Sequence, residues 1–441
     1  MLCCAGLVLL ASSPALCQVE TTVADTGGGS GDNLRMQVPP PVNGQSYPTD
    51  FAGETEANFW RFGLVLSSAW SSDVSGGAQP VSDISYSFWP TFALNQATPQ
   101  LHLLFSYSPG FTVYQRTSGS NQADHNASVN LQYRISPNMT LSLQDTLNKT
   151  SNIFNQPNPV SATPVSGSLP PSGVGVIAPL ADQISNATGA QLTYQVGATS
   201  MLGFGGNFAI SDYLNSQQVP GLYNSRSAGG SVFYSRRLGE KYYLGVNYQY
   251  ADILASQTGL PGTHTQTQTA FAFLSVYLKP TFSISISGGP QHYASTQPPY
   301  PAVSGWSPMM MVSAAWQGQR TTLAASFSRV VSGGGGLGGA FHSTSFGVSA
   351  NWRVSRNWNA GLGAAYGDSA TLTPLFLGSS AGRTISGTVS AQRALGEHAG
   401  VQFGYSWSNQ NYHNIQAIAS APNVNRVFVS LNYQFTKPLQ K

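Results

Sequence analysis

Several stretches of the chain alternate apolar and polar residues with a period of two. Near the C-terminus, Val427, Val429, Leu431, Tyr433 and Phe435 fall on one side and Ser430, Asn432 and Gln434 on the other. Ala127, Val129, Leu131, Tyr133 and Ile135 oppose Asn126, Ser128, Asn130, Gln132 and Arg134. Tyr242, Leu244, Val246, Tyr248 and Tyr250 oppose Gly245, Asn247 and Gln249. This period marks strands with one apolar and one polar face. Helical i, i+3, i+4 spacing is scarce. Two segments are irregular: Thr267–Leu278 is apolar on both faces near its end, and Asp145 interrupts the apolar face of Met139, Leu141 and Leu143.

From about Phe59 onward, segments of roughly 11–17 residues alternate with Gly, Pro, Asn and Ser breaks. Soluble strands average about 5–6 residues, whereas a tilted strand crossing a bilayer needs about 9–11. The breaks alternate in length. Short ones fall at Ser136–Asn138, Thr199–Ser200, Leu238–Lys241, Lys279–Thr281, Gln317–Gln319, Ser355–Asn357 and Gly396–His398. Longer ones include Ser151–Ile184, Gln217–Tyr223, Gln297–Pro301, Ala370–Ala381 and the glycine run Gly333–Gly339, expected to be a flexible external loop. The pattern predicts an all-β fold: a transmembrane antiparallel up-and-down β-barrel over residues 59–436. It has about 18 strands, with 16 as the other parse, and both termini on the short-turn side.

Composition narrows the class. Charged residues make up 8% of the 441 residues, about a third of the usual soluble share. Aromatics reach 11%, which excludes a disordered chain. No apolar run of about 18 residues lies beyond the extreme N-terminus, which excludes a helical membrane protein. Residues 1–17 (MLCCAGLVLLASSPALC) are expected to be a signal peptide. Residues 18–58, with six acids, a Gly triplet and a Pro triplet, are read as a flexible periplasmic linker, and 437–441 as a short tail. All three cysteines (Cys3, Cys4, Cys17) lie in the signal segment, so the mature chain has no thiol chemistry.

Little points to catalysis. The seven histidines form no HxH or HExxH spacing, and the glycine run lacks the Lys-Ser/Thr of a phosphate cradle. His342–Ser343 invites a hydrolase reading, but no partner motif accompanies it. No metal, cofactor, enzymatic activity or nucleic-acid partner is expected. Charge is more informative. From residue 58 on there are 18 basic and 10 acidic residues, a net of +8, and many bases lie near the short turns: Arg134, Arg236, Arg237, Lys241, Lys279, Arg320, Arg353, Arg356 and Arg393. They are expected to anchor the rim, and some of them to bias a lumen towards anions. Tyr242, Tyr243, Tyr277, Trp352, Trp358 and Tyr433 are expected to form a girdle.

With its exported, low-charge body and alternating final strand, the chain resembles a bacterial outer-membrane β-barrel protein of the porin-like class. In that resemblance Val427, Val429, Leu431, Tyr433 and Phe435 act as the terminal-strand signal read by the barrel-insertion machinery, although Thr436–Lys441 follow Phe435. It implies the outer membrane of a Gram-negative bacterium, with lipid and lipopolysaccharide as surroundings. The functional expectation is a passive channel for small polar solutes or sugars, or a polysaccharide exit pore, with weak anion preference. The alternative is a non-conducting structural or surface-interaction barrel. If the polar face lines an open lumen, a large side chain at Ser430 should be accommodated with little effect.

Overall fold

A computed structural model describes residues 58–74, 80–150, 182–214, 222–257, 260–279, 281–334, 337–372, 381–396, 398–413 and 423–439; the signal and linker segments and the 151–181 stretch lie outside them. The described residues form eighteen strands: β1 (Phe59–Ser71), β2 (Asp83–Ala97), β3 (Leu101–Tyr114), β4 (Gln122–Ser136), β5 (Met139–Thr150), β6 (Gln183–Gly197), β7 (Ser200–Tyr213), β8 (Asn224–Arg237), β9 (Tyr242–Gln257), β10 (Leu260–Lys279), β11 (Phe282–Thr296), β12 (Val303–Gln317), β13 (Thr321–Gly334), β14 (Leu337–Arg353), β15 (Trp358–Thr371), β16 (Ala381–Ala394), β17 (Ala399–His413) and β18 (Asn423–Pro438). Each pairs antiparallel with the next, and β18 pairs with β1 from Phe59↔Pro438 to Ser71↔Arg426. The sheet is therefore closed, each strand pairing on both sides over all or part of its length. All the short breaks read from the sequence join even to odd strands, so they lie at one end with both ends of the barrel chain.

The faces are inverted relative to a soluble protein. Val427, Val429, Leu431, Tyr433 and Phe435 point outward and are exposed, Tyr433 by 52%, whereas inward Ser430 is 1% exposed. Lipid must therefore surround the wall, because water on that apolar exterior would reverse the hydrophobic driving force. Exposed rings ring the short-turn end: Tyr133, Tyr194, Tyr242, Trp316, Trp352, Trp358 and Tyr433. Tyr243 and Tyr277 do not join them. The strand alternation turns both inward, where they meet edge-on at 5.6 Å and pack with Met201 and Phe233.

The polar face is not open to water everywhere. Ser430 lies opposite Ser67 and Gln402, and all three are buried. The expectation that a large residue fits there fails, because inward side chains fill this part of the lumen. Inward aromatics lie flat on the wall instead of across it. Trp89, Phe233, Phe273, Tyr412 and Phe428 face Gly110, Gly203, Gly245, Gly382 and Gly404 on the adjacent strand. A Cβ at Gly203 would stand 2.1 Å from the Phe233 ring, so only glycine admits this packing. Part of the glycine run lies on strands instead: Gly333 and Gly334 end β13 and Leu337–Gly339 begin β14.

Candidate functional site: a lumen narrowed by an inward-folded hairpin

β12 and β13 are consecutive strands, yet their ladder covers only Met310↔Arg329 to Gln317↔Thr322. Two positions further up, the same register would set Val331 opposite Pro308. Proline has no N–H to give to that pairing, so the ladder stops there. The backbone of Val331 finds another partner. Its N–H donates to Gln291 Oε1 at 2.8 Å, and the Gln291 Nε2–H donates to its C=O at 3.1 Å. The side-chain amide of an inward residue of β11 thus takes the place of the missing strand neighbour, meeting the demand that buried backbone groups be paired.

Gln291 lies inside the barrel, so the upper part of the β13–β14 hairpin leaves the wall and enters the lumen. There it brings Cα atoms within 8 Å of β8, β9 and β10. The burial pattern follows. Lower on β14, Phe346 and Trp352 are exposed to the outside, whereas higher up both faces are covered: Ala340 is 0% and Phe341 1% exposed. His342 Nδ1 lies 3.2 Å from Ser307 Oγ of β12, and its ring meets Tyr293 edge-on. Val330 packs with Met311 against a buried cluster of Phe271, Phe273 and Met309. The apolar patch on both faces of Thr267–Leu278 is thereby explained, since Phe271 and Phe273 are the floor on which the hairpin rests. Adjacent His342 and Ser343 point to opposite faces of β14, so the histidine bonds Ser307 rather than its neighbour.

Elsewhere the inward face is rich in hydroxyls and amides. On β10 it carries Thr263, Thr265, Thr267 and Thr269; Ser106–Ser128, Thr265–Ser295, Ser275–Ser285 and Ser328–Ser345 bond across strands. At the long-loop mouth, buried Asp83 accepts from the Thr117 hydroxyl at 2.7 Å, its N–H at 2.8 Å and the Arg116 N–H at 3.1 Å, which ties down the β3–β4 connection. Asp124 and Arg426 are also inward and buried there. The nine bases singled out in the sequence all lie at the short-turn end, but they divide. Strand alternation turns Arg134, Arg237 and Arg353 inward. It turns Arg236 and Arg393 outward, the Arg393 guanidinium lying 5.6 Å over the Trp358 ring. Lys241, Arg320 and Arg356 occupy turns, and Lys279 ends β10.

Pro308, Gln291 and Val331 were not singled out from the sequence. The available signals were a proline inside a strand-like segment, the Met309–Met310–Met311 run beside it and the two-faced apolar end of β10. The closed barrel, its apolar exterior and its polar lumen are those of an outer-membrane β-barrel protein. No protein-family model and no curated protein matches the sequence. Among solved structures, the siderophore receptor PirA from Pseudomonas aeruginosa is similar at 10% identity and a TM-score of 0.41, over 87% of this chain and 81% of that one. The FrpB iron transporter from Neisseria meningitidis gives 9%, 0.42, 88% and 84%. The outer membrane protein OpdK from Pseudomonas aeruginosa gives 11%, 0.39, 86% and 99%.

Proposed function

We propose that this barrel, in the outer membrane of a Gram-negative bacterium, is a passive channel for small polar solutes, sugars among them. The observation that carries the reading is the chemistry of the inward face: Ser, Thr, Asn and Gln line it, and such groups exchange hydrogen bonds with hydroxylated solutes without holding them tightly. The inward hairpin narrows the path and favours small solutes over a polysaccharide. Arg134, Arg237 and Arg353, inward at the short-turn mouth, give a weak anion preference there. That preference fades as salt screens the rim, over a Debye length of about 10 Å at 0.1 M. The remaining rim bases, Arg236, Lys241, Lys279, Arg320, Arg356 and Arg393, anchor the wall at the lipid boundary. Val427, Val429, Leu431, Tyr433 and Phe435 serve as the strand presented to the insertion machinery.

Single-channel recording of the purified protein in planar bilayers tests this. The expected result is a small, steady conductance with a modest anion-selective reversal potential at low salt, reduced in Arg134→Gln/Arg237→Gln. Clear cation selectivity would refute the rim assignment. No conductance at all would favour a non-conducting structural barrel.

A further inference from the structure

We infer, on the reading of the barrel as a channel for small polar solutes, that the inner wall of β5–β7 carries a seat for a neutral sugar ring. The seat is centred on Gly189 and bracketed by the side-chain amides of Gln144, Gln191 and Asn207. Away from the short-turn rim, Ala187 and Asn207 are the exposed inward positions among the described strand residues. The inward positions of β10 from Thr263 to Ser275 are by contrast all buried. The inward-folded hairpin lies against β8, β9 and β10. A solute passing it therefore meets the uncovered wall beside it, on β5–β7.

The register builds the seat. Gly189 of β6 stands opposite Gln144 of β5 on one side and Asn207 of β7 on the other. Those two strands are about 10 Å apart, two strand spacings, which is room for one sugar ring with its hydroxyls. On β6, Gln191 is the next inward position towards the short turns and Ala187 the next towards the long loops. Glycine at 189 puts no side chain between the amides, so a ring can approach the backbone closely. Asn207 leans the other way, over Gly229 of β8, where a Cβ would stand 2.8 Å from its Oδ1. The space above Gly189 is thereby kept clear of the Asn207 side chain.

The chemistry of the wall selects the class of solute. A side-chain amide offers donors and an acceptor, which matches a hydroxyl that is both. No inward position of β5, β6 or β7 is charged, and alternation turns Asp145, Lys149 and Asp212 outward. A carboxylate leaving water for this wall finds no opposite charge, whereas a neutral sugar exchanges hydrogen bonds with water for hydrogen bonds with amides.

The mature chain lacks cysteine, so a single thiol reports on the seat. Ala187→Cys places one at its edge, and Ser386→Cys places one on the inward face of β16, across the lumen. Each full-length variant, checked for the heat-shifted gel band of the folded barrel, is labelled with a small water-soluble maleimide. Labelling is timed alone, with glucose and with glucuronate at the same concentration and ionic strength. Saturating glucose should slow Ala187→Cys at least about threefold, because the occupied fraction is withdrawn from reaction, and should leave Ser386→Cys unchanged. Glucuronate should protect less. Adding Gln144→Leu/Asn207→Leu to Ala187→Cys should abolish the protection while labelling without sugar continues. No slowing by glucose, equal slowing at the two thiols, protection that survives Gln144→Leu/Asn207→Leu, or stronger protection by glucuronate would overturn the proposal. Conductance of the same preparations separates this site from the channel. A conducting barrel without protection overturns the seat alone, and protection without conductance supports the seat while overturning the channel.

Discussion

The β18–β1 and β12–β13 junctions differ in a way that separates chain proximity from strand pairing. β1 and β18 lie at opposite ends of the barrel sequence, yet they pair along the whole of β1, from Phe59↔Pro438 to Ser71↔Arg426. β12 and β13 are joined by a short turn, yet their ladder stops at Met310↔Arg329. Closing the long-range junction costs loop entropy that grows only slowly with chain length. In lipid that cost is outweighed by the many backbone groups an open edge would leave without partners. At the local junction the turn brings the strands together at little entropic cost, but one proline removes the next donor and an amide side chain captures the strand leaving it. Pairing in a membrane barrel is thus decided by donors and acceptors position by position.

The largest expected effect tests the closed junction. Leu431→Arg puts a charge on the lipid face of β18 beside Leu66, and unfolding in detergent by denaturant should show a loss of about 2–4 kcal/mol if the site lies near the midplane. Ser430→Arg, on the opposite face of the same strand, should also destabilise, by roughly 1–3 kcal/mol, because it overfills packed space. Tolerance at Ser430 would show that this part of the lumen is open after all.

The next effect tests the open junction. Gln291→Ala removes both bonds to Val331 and leaves a buried N–H and C=O unpaired, a cost of about 1–3 kcal/mol. It should free the hairpin and appear in single-channel records as larger or flickering conductance. Unchanged, quiet conductance would mean that the hairpin is held mainly by Phe271, Phe273 and Met309.

Ser307→Ala should have a smaller effect, since it deletes one hydrogen bond to His342, worth about 0.5–1.5 kcal/mol. Its conductance change should have the same sign as that of Gln291→Ala but a lesser size. Smallest of all is Arg393→Ala. That guanidinium lies on Trp358 outside the lumen, so reversal potential should not move, and stability should fall by less than about 1 kcal/mol. A shift in selectivity would place Arg393 in the ion path.

Two irregularities visible in the sequence divide in the same way. Asp145 broke the apolar run of β5, and it does lie on the outer face, between exposed Leu143 and Leu147. The alternation was therefore right, and only the partners were hidden: Asn186 Nδ2 donates to Asp145 at 3.1 Å and the Thr188 hydroxyl also donates to it, both from β6. Those residues lie 41 and 43 positions away. The two-faced apolar end of β10 was equally visible, but its meaning was not, because the inward Phe271 and Phe273 are covered by a hairpin beginning some fifty residues later.

Strand identity, strand faces, the barrel class and the end at which the bases gather all follow from local order. They depend on a period of two, on segment length set by bilayer thickness and on turn residues, and each of these is written within a dozen neighbouring positions. The tertiary structure alone decided where the polar face is packed rather than wet, and that the β13–β14 hairpin folds inside the barrel. It decided these because each turns on a contact between distant strands, such as Gln291 with Val331. The sequence contains the groups for that contact, but only the closed wall brings them within hydrogen-bond reach.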